Sequence, residues 1–441
     1  MVTIQSLDVA GAGLGVTESG DPARIPGTLP GEKVHAFVEH EARDGTRHGR
    51  LRTVEEASPD RVEPGCRHFL VCGGCDFLHM APEAERAFKR ARVAEALGRE
   101  LEEVDPVLPS PRDTHYRAVA KLVFGPGGRL GSFAPRSHRV VDMFGCRIHA
   151  PVIERVAETV RRALQRGVSH EGARYLVLRA ALPTEAVHVT LVMREAGLEA
   201  EGALLEALAG HPEVAEVWRH VNATEGDAII DEAGPTQCIH RGSVAVGRVG
   251  SAEQHLATGA FAQVNPGAAE RMYARVSELI EPEGKRVLDL YSGSGGISLT
   301  LLAAGAYEVL GIERSKTAVE AARKSAQPFR GAGHFESASA EQVKDYLVSP
   351  EASEVVPGSG GGFPAWVVNP PRKGLAPEVI EAIRTLMPER VVYVSCHPDR
   401  LARDLEALKD AYWVDSVTPV DMFPQTRHVE TVARLRLLRR D

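Results

Sequence analysis

The last third of the chain, from about residue 256, alternates short apolar runs with amphipathic segments. Runs such as KRVLDLYS, YEVLGIE, AWVVNPP and RVVYVSC predict short buried strands. The segments between them, such as SKTAVEAARKS and PEVIEAIRTL, predict helices. This β-α-β-α order predicts an α/β domain with a doubly wound, Rossmann-like parallel sheet.

The first 60 residues show a different pattern, in which short alternating runs are separated by Gly and Pro turns. The runs VTIQSLDV, EKVHAFVEH and HGRLRTVEE predict half-buried strands, and PGTLPGE is typical of a turn. Such a pattern indicates a small β-barrel of the kind often used on nucleic acid, or a purely structural module.

The middle of the chain contains both helix-like and strand-like patterns of apolar residues, which predicts an α+β domain. PEAERAFKRARVAEALGRE reads as a helix, on which Arg86, Lys89 and Arg90 share one face that we interpret as a solvated basic face. ARYLVLRAAL and AVHVTLVMRE predict strands. We therefore expect three domains: a barrel over 1–60, a central domain over 61–255 and the doubly wound domain over 256–441.

Composition limits the class of protein. The chain has 441 residues, 43% of them hydrophobic and 25% charged, with a net charge of −8, so any nucleic-acid partner must meet a local basic patch. The N-terminus does not resemble a signal peptide, and no run approaches the roughly 18–20 apolar residues of a membrane span. We expect a soluble, cytoplasmic protein without a membrane partner.

Three predicted strands of the last domain end in residues suited to chemistry. VLDLYSGSGG places Tyr291 before a Gly-rich turn, and Glu313 ends the following strand, where an acid accepts hydrogen bonds from ribose hydroxyls. The turn lacks the third glycine of a dinucleotide fingerprint. An adenosyl ligand, S-adenosylmethionine rather than NAD, therefore fits better, with a merely structural turn as the alternative.

The other two strand ends hold Asn369, which is followed by two prolines, and Cys396. An amide held by a rigid Pro-Pro segment can read the edge of a planar base. Cys396 is either a small buried hydrophobic side chain or a thiolate stabilised by the N-terminus of the helix that follows. Ligands bind at the carboxyl edge of such sheets, so all three ends are expected to meet there.

Six cysteines are too few for a disulfide scaffold in so long a chain. Three of them, Cys66, Cys72 and Cys75, fall within ten residues, and their spacing suits either an iron–sulfur cluster or a four-thiolate zinc site. Cys238 fits neither group and is expected to serve in packing.

Several segments together resemble the RNA 5-methyluridine methyltransferases. The matching segments are FAQVN (261–265), DLYSGSGG (289–296), NPPRKG (369–374), YVSCHPDRLARDL (393–405) and DMFPQTRHVETVARL (421–435). LPGEKV, SPDRVEPGC and CGGCDFLHM further resemble the TRAM barrel and cluster region of the subgroup that acts on 23S ribosomal RNA.

The resemblance implies transfer of a methyl group from S-adenosylmethionine to uracil C5 in RNA, ribosomal RNA first and transfer RNA second, by a monomer. It implies that Cys396 is the nucleophile, which adds to C6, and that Glu430 is the general base. The implied cofactor-binding residues are Gln263, Tyr291, Gly296, Glu313 and Asn369. The implied ligands of a [4Fe-4S] cluster are Cys66, Cys72, Cys75 and Cys146.

Two departures from the family pattern keep alternatives open. Asn369 stands where the family usually has Asp, and Gly296 stands where it often has a side-chain amide. The alternatives are a transfer-RNA uridine-C5 enzyme, a cytosine-C5 or amino-directed RNA methyltransferase, and a non-catalytic RNA-binding paralog.

Overall fold

The computed structural model describes residues 1–135, 137–224, 228–230, 234–250, 252–348 and 362–438. The Gly-rich segment 356–364, for which the sequence predicts a surface loop, lies mostly outside the described residues. Within the described ranges, no helix combines the length and the apolar composition that crossing a bilayer requires.

The N-terminal strands close into a five-stranded barrel. They are β1 (Val2–Leu7), β2 (Gly13–Thr17), β3 (Pro22–Ile25), β4 (Lys33–Glu41) and β5 (Arg47–Glu56). The barrel order is β1-β2-β3-β5-β4. Val2 and Ile4 point inward and are buried, whereas Thr3 between them is exposed, which is the alternation expected of a small barrel. The predicted β-barrel is therefore confirmed.

A second, seven-stranded sheet follows, with two helices packed on it. Its strands are β6 (Val119–Gly125), β7 (Arg129–Phe133), β8 (Val140–Asp142), β9 (Ala173–Ala181), β10 (Ala186–Met193), β11 (Val214–Val221) and β12 (Thr236–Arg241), in the order β12-β11-β10-β9-β6-β7-β8. The helices α2 (Pro151–Gln165) and α3 (Glu199–Ala209) bury apolar residues such as Val156 and Leu204 against Leu178 of this sheet. A short ladder, β13 (Val246–Val249) and β14 (Ala252–His255), leads into the last domain.

The helix α1 (Pro82–Leu97) corrects one expectation from the sequence. Lys89 is fully buried, with ion pairs of 2.6 Å to both Glu85 and Asp421. The side chain of Arg90 donates a hydrogen bond to the carbonyl of Val104. The predicted solvated basic face was therefore wrong, because two of its three cations are used inside the protein.

The C-terminal domain is built on a third sheet. Its strands are β15 (Arg286–Leu290), β16 (Glu308–Glu313), β17 (Gly333–Ser337), β18 (Ala365–Val368), β19 (Arg390–Ser395), β20 (Tyr412–Val420) and β21 (Glu430–Leu437), in the order β17-β16-β15-β18-β19-β21-β20. Its helices are α4 (Pro266–Ile280), α5 (Gly296–Ala303), α6 (Lys316–Ala326), α7 (Val343–Val348), α8 (Pro377–Leu386) and α9 (Pro398–Leu408). Apolar cores cover both faces of the sheet, so its parallel strands are apolar throughout. The predicted doubly wound α/β fold is confirmed.

The strand β21 runs antiparallel to its neighbours β19 and β20, which the sequence pattern did not predict. Its first residue therefore lies at the edge where the parallel strands end. Ser395 pairs with Thr431, so the next residues along, Cys396 and Glu430, are brought to the same place. The topology thus joins two residues that are far apart in the chain.

Candidate active site

A cavity of about 600 Å³ opens at the carboxyl edge of the C-terminal sheet. This volume is typical of small-ligand sites. The predicted site residues that line it are Gln263, Tyr291, Glu313, Asn369, Cys396 and Glu430. The structure therefore brings together residues from six separate segments of the chain.

The Gly-rich turn after β15 forms one side of the cavity. Tyr291 and Gly293 both have left-handed backbone conformations, with φ of 62° and 55°, so the chain turns sharply away from the strand. The backbone N–H of Gly293 donates to Glu313 Oε2 at 3.1 Å, and that of Ser315 donates to Oε1 at 2.8 Å. The Glu313 carboxylate is thereby fixed in orientation and keeps free lone pairs for a ligand hydroxyl.

Gly296 lies outside the lining of the large cavity and borders a small adjoining one. A Cβ atom at this position would come within 2.8 Å of the ring of Tyr273. The buried Tyr273 thus occupies the space into which a larger side chain at position 296 would project. The family's amide at this position is therefore replaced here by a glycine packed against an aromatic ring.

Cys396 lies between the end of β19 and the start of α9, as the sequence predicts. Burial raises the pKa of its thiol to about 11, and the nearby charge of Glu430 adds to this effect. The guanidinium of Arg372 acts in the opposite direction. The sequence argument expected the helix N-terminus to depress the pKa of this thiol, whereas burial outweighs any such effect.

Glu430 is only 4% exposed. Burial raises the pKa of its carboxyl group to about 8, again opposed by Arg372. A carboxylate in such an environment is a much stronger base than an exposed one. The cavity therefore holds a thiol and a strong carboxylate base on adjacent strands.

Arg372 is the functional residue that the sequence argument missed. It lines the same cavity and favours the charged forms of both Cys396 and Glu430. The signal was present, since Arg372 directly follows the Asn369-Pro-Pro segment already assigned to this edge. Its charge makes the pair of reactive groups easier to ionise.

A second cavity, of about 140 Å³, is lined by all four cysteines of the predicted cluster site: Cys66, Cys72, Cys75 and Cys146. None of the four is in a disulfide. Burial raises the pKa of Cys72 and Cys75, and the neighbouring thiols raise both further. Closely spaced thiolates repel one another unless a cation lies between them, so this donor set fits a metal or an iron–sulfur cluster.

His149 and Glu154 lie beside one of these cysteines. Burial opposes ionisation of Cys146, but the hydrogen bond and charge of His149 bring the pKa of this thiol below its usual value. The other side of the histidine ring is held by Glu154, with 2.6 Å between Nδ1 and Oε1. The three side chains are close enough to hold one metal ion, so zinc remains compatible with this end of the cavity. Cys238 lies away from both cavities, on β12.

Known proteins share sequence or structure with this chain over most of its length. Residues 249–437 match the family model described as tRNA (Uracil-5-)-methyltransferase. An uncharacterized RNA methyltransferase of Halalkalibacterium halodurans is 34% identical, with 99% of this chain and 96% of that protein covered. A second one, of Geobacter sulfurreducens, is 33% identical, with 98% and 89% covered.

One solved structure matches over nearly the whole length. The tRNA (uracil-54, C5)-methyltransferase of Pyrococcus abyssi, in complex with S-adenosyl-L-homocysteine, superposes with a TM-score of 0.77. It is 26% identical, and 99% of each chain is covered. This chain is an S-adenosylmethionine-dependent enzyme, and it belongs to the RNA uracil-C5 methyltransferases.

Proposed function

We propose that this enzyme forms 5-methyluridine in RNA through a transient covalent bond between Cys396 and uracil C6. The observation that supports this most strongly is that Cys396 and Glu430 face one cavity from adjacent strands, with Arg372 beside both. Uracil C5 is a poor nucleophile on its own, and addition of a thiolate at C6 is the means by which such a carbon becomes reactive.

The steps balance as follows. The Cys396 thiolate adds to C6, and the π electrons of the C5–C6 bond move to C5 as an enolate. This carbon takes the methyl group from the sulfonium, which leaves as a neutral thioether. Glu430 then removes the C5 proton, the C5–C6 double bond re-forms, and the thiolate is expelled.

The charges in the cavity suit these steps. Arg372 favours ionisation of both reactive groups, and a cationic methyl donor bound nearby lowers both pKa values further. The raised pKa of Glu430 makes its carboxylate a better acceptor for a carbon-bound proton. The burial that makes ionisation costly therefore also strengthens the base.

Five residues are proposed to hold the methyl donor: Gln263, Tyr291, Gly296, Glu313 and Asn369. Glu313 suits the ribose hydroxyls, because backbone N–H groups fix its orientation. Asn369 borders both the large cavity and the small one near Gly296. Its amide oxygen can accept from uracil N3–H while its NH2 group donates to O4.

This role of Asn369 is tested by offering the enzyme one RNA with uracil and another with cytosine at the target position. Uracil should be strongly preferred, because cytosine N3 has no hydrogen to donate. A preference for cytosine would instead favour a cytosine-C5 activity. Methylation of an exocyclic amine would favour an amino-directed enzyme, which has no use for the Cys396–Glu430 pair.

The second cavity is proposed to bind a [4Fe-4S] cluster through Cys66, Cys72, Cys75 and Cys146, with a structural role. The support is the set of four uncrosslinked thiols around one buried space. Iron and sulfide analysis of protein purified without oxygen tests this proposal. Stoichiometric zinc in place of iron would overturn it.

The RNA is proposed to be 23S ribosomal RNA, on the resemblance of the barrel and cysteine segments. Exposed Phe37 pairs with exposed Arg50 across strands β4 and β5, and Arg52 lies close by, which gives the TRAM-like barrel a surface for stacking and phosphate contact. Since C6 is hidden in a base stack, the uridine must be flipped into the cavity.

Transfer RNA is the second candidate, because the Pyrococcus abyssi enzyme that matches the full length acts on tRNA. Mass-spectrometric mapping of 5-methyluridine in both RNA pools, with and without the gene, separates the two. Loss of the nucleoside from ribosomal RNA supports the first target, and loss from transfer RNA supports the second. RNA binding without any loss of 5-methyluridine would favour a non-catalytic role.

A further inference from the structure

The segment that leads into Glu430 has no regular secondary structure of its own. It comprises residues 421–429, between β20 and β21, and we call it the base loop. Within it, Gln425 has a φ of 71°, a left-handed conformation that residues other than glycine rarely adopt. Such a conformation persists only where surrounding groups hold it.

The backbone at Gln425 is held by the segment of the cluster cysteines. Its carbonyl oxygen accepts hydrogen bonds from the N–H groups of both Asp76 and Phe77, each at 2.9 Å. These two residues directly follow Cys75. The base loop is therefore bonded to the chain next to a cysteine that lines the second cavity.

The Asp76 side chain adds a charged contact three residues before Glu430. Its Oδ2 accepts from the backbone N–H of Arg427 at 3.1 Å, and its Oδ1 accepts from Arg427 Nη1 at 2.8 Å. The two side chains are 26% and 40% exposed, so the pair is only partly screened by solvent. One carboxylate thus fixes both the backbone and the side chain of Arg427.

The first half of the base loop is anchored separately, by α1. The ammonium group of Lys89 donates to Asp421 at 2.6 Å and to the carbonyl of Phe423 at 3.1 Å. The N–H of Gln425 donates to Glu85 at 2.8 Å. At the other end, Val429 next to Glu430 is buried in an apolar cluster. The contacts with Asp76 therefore hold the stretch between these two anchored ends.

We propose that Asp76 is a positioning residue for the general base Glu430, and that it links the cysteine segment to the active site. This inference rests on the proposed role of Glu430. A base loop released at Arg427 leaves Cys396 and the methyl donor in place, so addition and methyl transfer continue. Removal of the C5 proton slows, and the methylated adduct accumulates.

The experiment compares Asp76→Ala, which removes both bonds to Arg427, with Arg427→Ala, which removes only the side-chain bond, from the side away from the cysteines. The matched control is Glu213→Ala, because Glu213 is 24% exposed and pairs with Arg155 in the central domain. Asp76→Asn keeps an acceptor for the Arg427 N–H and should recover part of the loss.

Asp76→Ala should lower kcat by on the order of 10²-fold, the cost of a small misplacement of a reacting group, and Arg427→Ala should lower it less, with KM nearly unchanged in both. The covalent protein–RNA fraction on a denaturing gel should rise, and hydrogen exchange of residues 421–430 should become faster. The double variant should be no worse than the worse single one, because the two residues share one contact.

The inference is overturned if both variants have the same hydrogen-exchange rates over residues 421–430 and the same covalent protein–RNA fraction as wild type and Glu213→Ala. If Asp76→Ala also loses iron, its effect could come from the cluster site, and the result for Arg427→Ala then decides whether the contact positions Glu430. A wild type that transfers no methyl group overturns the proposed function, and in that case the exchange data still decide whether Asp76 holds the base loop.

Discussion

Two of the cavities formed by the described residues are lined by cysteine, and they differ in what surrounds the sulfur. In the smaller one, four thiols face one another, and burial and mutual repulsion raise the pKa of Cys72 and Cys75. In the larger one, Cys396 is the lone thiol among the lining residues and has a guanidinium and a carboxyl group beside it. We propose that the smaller environment is balanced by a cation, and that the larger one serves a reaction with an electrophilic carbon.

On these proposals, the neighbours of a thiol determine its function more than its burial does. All of these cysteines are partly buried, and burial opposes the ionisation of four of them: Cys72, Cys75, Cys146 and Cys396. Among the clustered thiols, His149 relieves Cys146, and a ligand that bridges the sulfur atoms would relieve Cys72 and Cys75. Cys396 can be relieved by Arg372 and by a positively charged substrate, and it is then free to leave again after the reaction.

The largest effect is expected for Cys396→Ala. Without the thiol, C5 cannot be activated, so methyl transfer should fall by at least about 10⁴-fold, while RNA binding is retained. Methyl transfer from labelled S-adenosylmethionine measures the first quantity, and a gel-shift assay measures the second. Activity within tenfold of wild type would contradict the role of Cys396 as the nucleophile, and with it the proposed difference between the two cavities.

Glu430→Gln should have the next largest effect. An amide cannot take the C5 proton, so turnover should fall by roughly 10²- to 10⁴-fold. The methylated RNA should stay attached to Cys396, because the thiolate leaves only after deprotonation. A denaturing gel measures this species. A variant that loses turnover without accumulating any adduct would indicate that Glu430 acts before methyl transfer.

Cys75→Ser tests the smaller cavity and should reduce methyl transfer much less than either change above. The purified variant should lose most of its iron and visible absorbance, and it should unfold several degrees below wild type. Cys238→Ser is the control, since Cys238 lies outside both cavities, and it should keep its iron. A Cys75→Ser protein with full iron content would contradict the cluster assignment.

The smallest effect is expected from pH. The pKa of Glu430 is raised to about 8, so its basic form grows as pH rises through that value. Breakdown of the methylated adduct depends on Glu430 and does not require the Cys396 thiol to ionise, so the rate of this step should rise about tenfold between pH 7 and pH 9. The profile is measured in buffers of constant ionic strength. A flat profile over this range would show that burial does not raise the pKa of Glu430 to about 8.

The sequence predicted the parallel part of the sheet and the place of Cys396 because both follow from local pattern. An apolar run that ends in a helix start puts its last residue at the carboxyl edge of the sheet. Tyr291, Glu313 and Asn369 lie at the same edge for the same reason. These positions needed no knowledge of distant contacts.

Glu430, Lys89 and Arg372 show what local pattern does not contain. Glu430 reaches the site only because β21 returns antiparallel, and this residue was assigned by family resemblance alone. Lys89 looked solvated because its partner Asp421 lies 332 residues away in the chain. The influence of Arg372 on two pKa values depends on side-chain packing, which no spacing rule predicts.

The central claim is tested most directly with target RNA that contains 5-fluorouridine. Fluorine at C5 cannot be removed as a proton, so the reaction should stop with RNA bound to the enzyme after methyl transfer. Mass spectrometry of the digested complex should find the nucleotide on the peptide that contains Cys396, and Cys396→Ser should form no such species. Normal methylation of uridine without any trapped bond, or attachment to another residue, would contradict the account.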